Sequence, residues 1–301
     1  MRWFVPFCVA LTACTAPATQ PSYVEAPATT LPSCQADAKW TEPAPPLHIY
    51  GNTWYVGTCG ISSILIASPQ GHILIDGGVN DAAPLVEANI RGLGFRIADI
   101  RYILNSHEHY DHAGAIAQLQ RDSGAVVVAR EAAARAFERG RGDRSDPQLL
   151  SIESFAPIAN VHRIGAGETL TLGPVRLTAH ATPGHTPGST TWTWESCEGK
   201  QCVHVVYADS LTAISDDVYR YSDETQHPGV AAAFRNSIAT VAALPCDILL
   251  TPHPDASAMW SRLGNNADTA LIDHDACRRY AANASGKLDA RLAQERASAK
   301  H

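Results

Sequence analysis

Beyond residue 46, the chain begins with short apolar runs that are bounded by glycine or proline. These runs are rich in β-branched side chains, which favours a meander of strands. Farther along, apolar positions at helical spacing alternate with more strand-like runs. The predicted strands are 53–57, 61–68, 72–78, 101–106 and 125–130, and the predicted helices are 81–94, 114–124 and 131–140.

The second half of the chain repeats this order of strands followed by helices. Its predicted strands are 168–183, 189–196, 203–210 and 246–253, its predicted helix is 228–245, and a charged helical tail starts at Asp273. Two such units predict an α/β fold in which two sheets pack face to face with helices outside, a four-layer αββα sandwich. We expect a single domain over residues 47–301, preceded by an extended arm at 19–46 that is rich in proline, alanine and threonine.

The first 18 residues have the layout of a secretory signal, with Arg2, an apolar run at 3–11 and then small residues. An apolar run of about nine residues is too short to cross a bilayer as a helix. The run ends in the lipobox-like sequence LTAC, which would make Cys14 the lipidated first residue of an outer-membrane lipoprotein. Cleavage after the A-x-A site at 16–18 is the alternative and would release a soluble protein. In both cases we expect export to a bacterial periplasm, with membrane attachment only through a lipid on Cys14.

Charge argues against one class of partner. The net charge is −7 at pH 7, the pI is near 6.0 and lysine and arginine form no run. A chain of this kind offers no basic groove to a phosphate backbone, so we expect no nucleic-acid partner. No long exposed apolar seam calls for a protein partner, and we expect a monomer.

Six cysteines remain after removal of Cys8 and Cys14, and an exported protein can pair them. Fifteen pairings exist in principle. Cys197 and Cys202 flank EGKQ between two strand-like runs and could staple a hairpin. Plausible partners among the rest are Cys34 with Cys59 and Cys246 with Cys277, and free buried cysteines are the alternative.

Three histidines and an aspartate crowd into the sequence HEHYDH. Such a pattern would arise by chance in roughly one chain of this size in a thousand. It lies between a predicted strand and a helix expected to start near Ala113, which puts it in a loop on a rigid scaffold. In that loop His107 and His109 can face one metal ion. Asp111 and His112 can face a second one.

Two further histidines occupy strand ends beside glycine or proline, His185 in TPGHTPGS and His253 in LLTPHP. Alone, each would more often be a hydrogen-bonded structural residue. Together with HEHYDH they complete six ligands, three for each of two Zn²⁺ ions per chain, which predicts a dinuclear hydrolytic site.

The sequences HEHYDHAG, TPGHTPGS, YADSLT and LLTPHP, in this order, resemble the metallo-β-lactamase fold from about residue 47 to the end. Within that superfamily the chain is similar to the third subclass of zinc-dependent β-lactamases, which keeps His-x-His-x-Asp-His. That subclass has serine after the AD of the second-half strand, and Ser210 fills this place. The resemblance implies that a zinc-bound hydroxide hydrolyses the β-lactam amide of penicillins, cephalosporins and carbapenems, which gives antibiotic resistance.

The resemblance also implies roles for particular residues. The first zinc would be bound by His107, His109 and His185, and the second by Asp111, His112 and His253. Asp111 would in addition act as a catalytic residue that orients or accepts from the attacking water. The substrate-contacting or water-holding residues would be Ser210, Thr212 and Gln148. The implied disulfides are Cys34–Cys59, Cys197–Cys202 and Cys246–Cys277.

Two alternative functions remain open at this point. The same fold and ligands serve exported hydrolases of lactones or thioesters, in which an aspartate near the position of Asp209 bridges both metals. The other alternative is a zinc-binding lipoprotein without catalytic activity. Glu108 and Tyr110 fill the variable positions of the motif. The charge of Glu108 beside the metals could tune the acidity of the bound water, but we expect this side chain to face solvent.

Overall fold

The structure is a computed structural model that describes residues 1, 34–35, 37–264, 267 and 269–298. The predicted secretory signal beyond Met1, including Cys14, and most of the predicted arm lie outside the described residues. None of the described helices is long and apolar enough to cross a membrane.

Each half of the described chain begins with strands, after which helices and further strands alternate. The strands are β1 (Leu47–Tyr50), β2 (Thr53–Tyr55), β3 (Ile64–Ile66), β4 (His72–Ile75), β5 (Ile100–Leu104), β6 (Val126–Ala129), β7 (His162–Arg163), β8 (Thr169–Leu172), β9 (Val175–Ala181), β10 (Thr190–Glu198), β11 (Gln201–Tyr207) and β12 (Ile248–Leu250). The α-helices are α1 (Ala83–Gly92), α2 (Tyr110–Ala113), α3 (Ile116–Ser123), α4 (Glu131–Arg139), α5 (Val230–Ala243) and α6 (Ala276–Ser298).

These strands form two sheets within the described residues. The first has the order β1-β2-β3-β4-β5-β6-β7, in which β1 to β4 are the predicted antiparallel meander and β4 to β7 run parallel. The second has the order β12-β11-β10-β9-β8, antiparallel except for the β11–β12 pair. Parallel pairs require crossover connections, and the helices after β4, β5, β6 and β11 supply them.

Alternation along the central strands produces three layers of core. Ile64 and Ile66 face the second sheet and pack in one cluster with Trp192 and Tyr207. Leu65, between them, belongs to a second cluster that also includes residues of α1, α3 and α4. On the other sheet, Val206 packs against α5 and α6. Because successive strand residues point to opposite faces, both sheets are covered on both sides, and the predicted αββα sandwich is confirmed.

Two predicted elements differ in detail. The strand predicted over 168–183 is two strands, β8 and β9, because Gly173 adopts a left-handed φ of 58° and reverses the chain. The helix expected near Ala113 begins earlier, since α2 starts at Tyr110. Asp111 and His112 therefore lie on a helical turn and not in the preceding loop, where the motif analysis put them.

Three disulfides join the six cysteines of the described chain in the pairing that the resemblance implied. Cys197–Cys202 ties the hairpin of β10 and β11. Cys34–Cys59 joins the arm to the body, and Cys246–Cys277 joins the start of β12 to α6.

The three disulfides close loops of different length, which predicts different contributions to stability. Replacing both Cys246 and Cys277 by alanine opens a separation of 31 residues and is expected to cost about 3.5 kcal/mol of loop-closure entropy. The same change at Cys197 and Cys202, which are 5 residues apart, should cost about 2 kcal/mol. Thermal unfolding should show Tm falling by about 10 °C in the first variant and clearly less in the second. Equal Tm values in the two variants would contradict this account.

Candidate metal centre

The centre lies where the parallel strands β4 and β5 end. The buried carboxylate of Asp76, which follows β4, accepts hydrogen bonds from the Ser106 backbone N–H at 2.6 Å and the Ser106 hydroxyl at 2.7 Å. The Tyr207 hydroxyl donates to the same carboxylate at 2.7 Å. Asp76 has a left-handed φ of 62°, which few non-glycine residues adopt. This carboxylate therefore ties the end of β5, and the motif that follows it, to both sheets.

One group of three imidazoles forms the first half of the centre. His107, His109 and His185 are all buried, and each offers a ring nitrogen within 4.8 Å of the other two. Nε2 of His107 is fully buried and makes no hydrogen bond within the described chain. A buried donor or acceptor without a partner is costly, and a metal ion shared with the other two rings would satisfy it.

A triangle of Asp111, His112 and His253 forms the second half. Oδ2 of Asp111 lies 3.1 Å from Nε2 of His112 and 3.4 Å from Nε2 of His253. The two Nε2 atoms are 3.3 Å apart. Tetrahedral zinc with bonds of about 2.0–2.1 Å has ligand atoms about 3.3–3.4 Å apart. The three atoms therefore already hold one face of a zinc tetrahedron.

The ligand rings are oriented from behind by polar partners. Oδ1 of Asp209 lies 2.8 Å from Nδ1 of His107, and both side chains are fully buried. Oδ1 of Asp146 lies 3.1 Å from Nε2 of His109. Such carboxylate–histidine pairs fix the tautomer of a ligand ring and raise its basicity. The ring nitrogens left over, Nε2 of His107 and Nδ1 of His109, are the ones available to a metal.

His185 and His112 are held in a similar way. The Thr212 hydroxyl lies 2.9 Å from Nδ1 of His185, which leaves Nε2 of that ring for a metal. Nδ1 of His112 lies 3.5 Å from Oδ2 of Asp76. Asp76, which anchors the end of β5, thus also contacts His112, a predicted ligand of the second ion.

Burial and neighbouring charge set the protonation of the ligands. Burial, helped by the nearby histidines, lowers the pKa of His185 to about 3 and that of His253 to about 4. Burial also holds the pKa of His107 well below its usual value. Neutral imidazole is the form that binds zinc, so these three rings are prepared for ligation.

Asp111 and His112 behave as a coupled pair. Burial would raise the pKa of Asp111, but the charge and hydrogen bond of His112 outweigh it and keep that pKa below its usual range. Burial would lower the pKa of His112, but Asp111 and Asp76 raise it to about 10. A positive charge is therefore favoured between these groups, which is what a metal ion provides.

The predicted substrate-contacting residues lie near the centre. Nε2 of Gln148 is 3.4 Å from Nε2 of His185, which puts this amide at the first group. The Thr212 hydroxyl contacts Nδ1 of His185. Ser210 is buried next to Asp209.

Glu108 does not face solvent, and that expectation is wrong. Its side chain is buried, accepts hydrogen bonds from the Thr186 hydroxyl at 2.7 Å and the Gly188 backbone N–H at 2.9 Å, and has its pKa raised by burial. A Cβ at position 188 would lie 2.4 Å from this carboxylate. Glu108 therefore links the HEHYDH motif to the segment that carries His185. Tyr110, half-buried, packs its ring against that of Trp40 at 5.8 Å.

Asp76, Asp146 and Trp40 belong to the surroundings of the centre but were not predicted from the sequence. Asp76 had a signal, because it is a polar residue directly after an apolar strand whose parallel neighbour leads into the motif. Asp146 lies in a polar loop, and Trp40, whose ring is 5.8 Å from that of His253, lies in the proline-rich arm. Neither position carried a local signal.

Comparisons with known proteins agree with this geometry. A family model described as the metallo-beta-lactamase superfamily matches residues 56–198. MEM-A1, a subclass B3 metallo-beta-lactamase isolated from a soil metagenome library, has a similar crystal structure with a TM-score of 0.83 and 46% identity, covering 86% of this chain and all of that one. The metallo-beta-lactamase MIM-1 from Novosphingobium pentaromativorans has a TM-score of 0.83 and 49% identity, covering 89% of this chain and 97% of that one.

Curated relatives with weaker similarity are hydroxyacylglutathione hydrolases. The protein of that name from Anaeromyxobacter dehalogenans (strain 2CP-C) is 33% identical over 131 residues, which are 44% of this chain, and the match spans only 41% of its own length. Identity of 46–49% across nearly the whole of two solved structures outweighs this partial match. The chain therefore belongs to the metallo-β-lactamase superfamily of hydrolases, and within it resembles the subclass B3 enzymes.

Proposed function

We propose that the chain is a zinc-dependent β-lactamase that hydrolyses the β-lactam amide of penicillins, cephalosporins and carbapenems, and so protects a bacterium from these antibiotics. The observation that carries the proposal is the position of Asp209. In members of the fold that cleave thioesters or lactones, an aspartate near this place bridges both metals. Here Oδ1 of Asp209 lies 2.8 Å from Nδ1 of His107. Asp209 belongs to neither of the two groups whose ligand atoms converge within 4.8 Å among the described residues, which are His107, His109 and His185, and His107, Asp111 and His112.

The donor set fits two zinc ions. Zinc prefers imidazole nitrogens and carboxylate oxygens among the ligands available here. The first half of the centre offers three imidazoles, and the second offers two imidazoles and one carboxylate. Three protein ligands per ion are typical of catalytic sites that keep a fourth position for water. We assign His107, His109 and His185 to the first ion and Asp111, His112 and His253 to the second. When bound, such ions make hydroxide available near neutral pH, polarise the scissile carbonyl and stabilise the departing amide nitrogen.

The chain's own residues would then position the reactants. Oδ2 of Asp111 belongs to the ligand triangle, while Oδ1 is buried without a partner among the described residues. That oxygen is available to accept a hydrogen bond from the attacking water and later to hold its proton. Gln148, beside His185, has an amide that can donate to a substrate carboxylate or carbonyl. We propose supporting contacts for Ser210 and Thr212.

The cysteines support an exported location. Three disulfides are typical of an oxidising compartment, which supports export through the signal predicted at residues 1–18. We propose a periplasmic monomer with one catalytic domain over 47–301, anchored in the outer membrane where Cys14 is lipidated.

A lactone or thioester hydrolase is the second candidate. The partial similarity to a hydroxyacylglutathione hydrolase favours it, and the location of Asp209 does not. A zinc-binding lipoprotein without activity is the third candidate. Rings preoriented by Asp209, Asp146 and Thr212 suit a reaction centre better than metal storage, since storage needs no such preorganisation.

Chelation and zinc restoration test the proposed function directly. The purified mature protein should hydrolyse a cephalosporin and a carbapenem, measured as loss of β-lactam absorbance. Activity should disappear after dialysis against a chelator and return with two equivalents of Zn²⁺. Zinc-loaded protein with two ions per chain that leaves both compounds intact, but cleaves a lactone or thioester, would replace the first candidate by the second.

Replacing Asp111 by asparagine tests its two proposed roles, as a ligand of the second zinc and as the acceptor of the water's proton. Asparagine keeps the size of the side chain but loses the charge and the proton-accepting oxygen, so kcat should fall by about 10²- to 10³-fold. Zinc content measured on the same sample shows whether metal loss contributes. A kcat within about threefold of the wild type would remove Asp111 from the proposed mechanism.

Replacing Asp209 by asparagine tests its place behind His107. Loss of the carboxylate lowers the basicity of the ring, so zinc affinity measured against a chromophoric chelator should fall about 10- to 100-fold with two ions still bound at saturation. Asp289→Asn, an exposed carboxylate paired with Arg235 on the surface, is the control. A variant that holds only one ion at saturating zinc would indicate that Asp209 is itself a ligand.

A further inference from the structure

Two loops border the first half of the centre, the 143–151 loop between α4 and β7 and the 209–222 loop between β11 and α5. The 143–151 loop carries Asp146, which contacts His109, and Gln148, which contacts His185. The 209–222 loop carries Thr212, which contacts His185 from the opposite side. The relative position of these two loops therefore determines the orientation of the His109 and His185 rings.

One buried carboxylate joins the two loops. Oδ2 of Asp216 accepts hydrogen bonds from both terminal nitrogens of Arg144 at 3.0 Å and from the backbone N–H of Leu150 at 3.1 Å. Oδ1 accepts the backbone N–H groups of Val218 at 3.0 Å and Tyr219 at 2.9 Å. Its side chain is only 3% exposed, so these five donors replace its water.

The same residue is also tied through its backbone. The N–H of Asp216 donates to the carbonyl of Pro147 at 2.8 Å. Pro147 lies between Asp146 and Gln148, the two residues that touch metal-facing histidines. A displacement of Asp216 would therefore be transmitted directly to both of them.

Apolar packing does not provide an alternative attachment at the tips of these loops. Leu150, Ile214 and Val218 are 63%, 52% and 63% exposed, so their side chains bury little surface. Segments with few buried apolar contacts open at low free-energy cost unless polar contacts hold them. Tyr219 and Tyr221, farther along the 209–222 loop, are buried, so apolar packing holds that end of the loop. At the exposed tips, the hydrogen bonds to Asp216 connect the two loops.

We propose that Asp216 is a positioning residue that clamps the 143–151 loop to the 209–222 loop and thereby holds Gln148 and Asp146 in place for substrate binding. The catalytic part of this inference rests on the proposed β-lactam hydrolysis. Asp216 touches neither a ligand atom nor, in this account, the substrate. Its effect should therefore appear in substrate binding and loop protection more than in the chemical step.

The variant Asp216→Asn tests the clamp in the zinc-loaded full chain. Asparagine keeps the size of the side chain but replaces one acceptor oxygen by an NH₂ donor, which cannot accept from Arg144 and Leu150. We expect KM for a cephalosporin to rise about three- to tenfold while kcat changes less than about twofold, as expected when binding alone is weakened. Hydrogen exchange should accelerate at the amides of Leu150, Val218 and Tyr219. Asp289→Asn is the matched control and should leave all of these values unchanged.

A second variant keeps the test valid if Asp216→Asn does not fold. Arg144→Lys keeps the positive charge but cannot supply two parallel donors, so it should shift KM and amide exchange in the same direction by a smaller factor. Faster exchange with KM unchanged in both variants would mean that the clamp is structural only, and would overturn the positioning role. Unchanged exchange would overturn the clamp itself.

Failure of the proposed function gives a different result. If the wild-type protein does not hydrolyse β-lactams, the proposed function is rejected. The clamp is then tested by amide exchange and by zinc affinity. Zinc affinity depends on the 143–151 loop because Asp146 of that loop contacts His109. Under those conditions, zinc affinity and exchange equal to those of Asp289→Asn would overturn the clamp as well.

Discussion

Oδ2 of Asp111 and the Nε2 atoms of His112 and His253 lie within 3.1–3.4 Å of one another at the edge of the sandwich. The candidate metal centre depends on this close approach. Polar groups brought this close without water are costly unless a cation or a proton lies between them. Asp111 and His112 lie on α2, which follows β5 of the first sheet, and His253 lies in the segment after β12 of the second sheet. Both sheets must therefore pack correctly before the triangle exists.

The fold supplies that alignment by means of buried polar anchors. Asp76 connects the end of β4 to Ser106 at the end of β5 and to Tyr207 on the opposite sheet, and it also approaches His112. The left-handed backbone of Asp76 is strain of the kind that proteins keep at functional sites. One residue thus couples the packing of the two sheets to the orientation of a ligand.

The sequence predicted the layers and the ligands in HEHYDH because both have strong local signals. Short β-branched runs bounded by glycine or proline mark the strands, and three histidines and an aspartate within six positions mark the metal centre. His185 and His253 were predicted only in combination with that motif. The second layer of partners had no such signal, since Asp146 and Asp216 are ordinary aspartates in polar loops until folding brings them to His109 and Arg144. Glu108 was misjudged for the same reason. A charged residue within a motif suggests exposure, and only the tertiary structure shows Thr186 and Gly188 beside it.

We propose that two zinc ions occupy the centre and that Asp209 contacts His107 without binding either ion. Anomalous diffraction at the zinc absorption edge, on crystals of the zinc-loaded protein, tests it most directly. We predict two peaks, one among His107, His109 and His185 and one among Asp111, His112 and His253. Both carboxylate oxygens of Asp209 should lie well outside the zinc–oxygen bonding distance of about 2.0–2.2 Å. A single peak, or a carboxylate oxygen of Asp209 bonded to zinc, would contradict it.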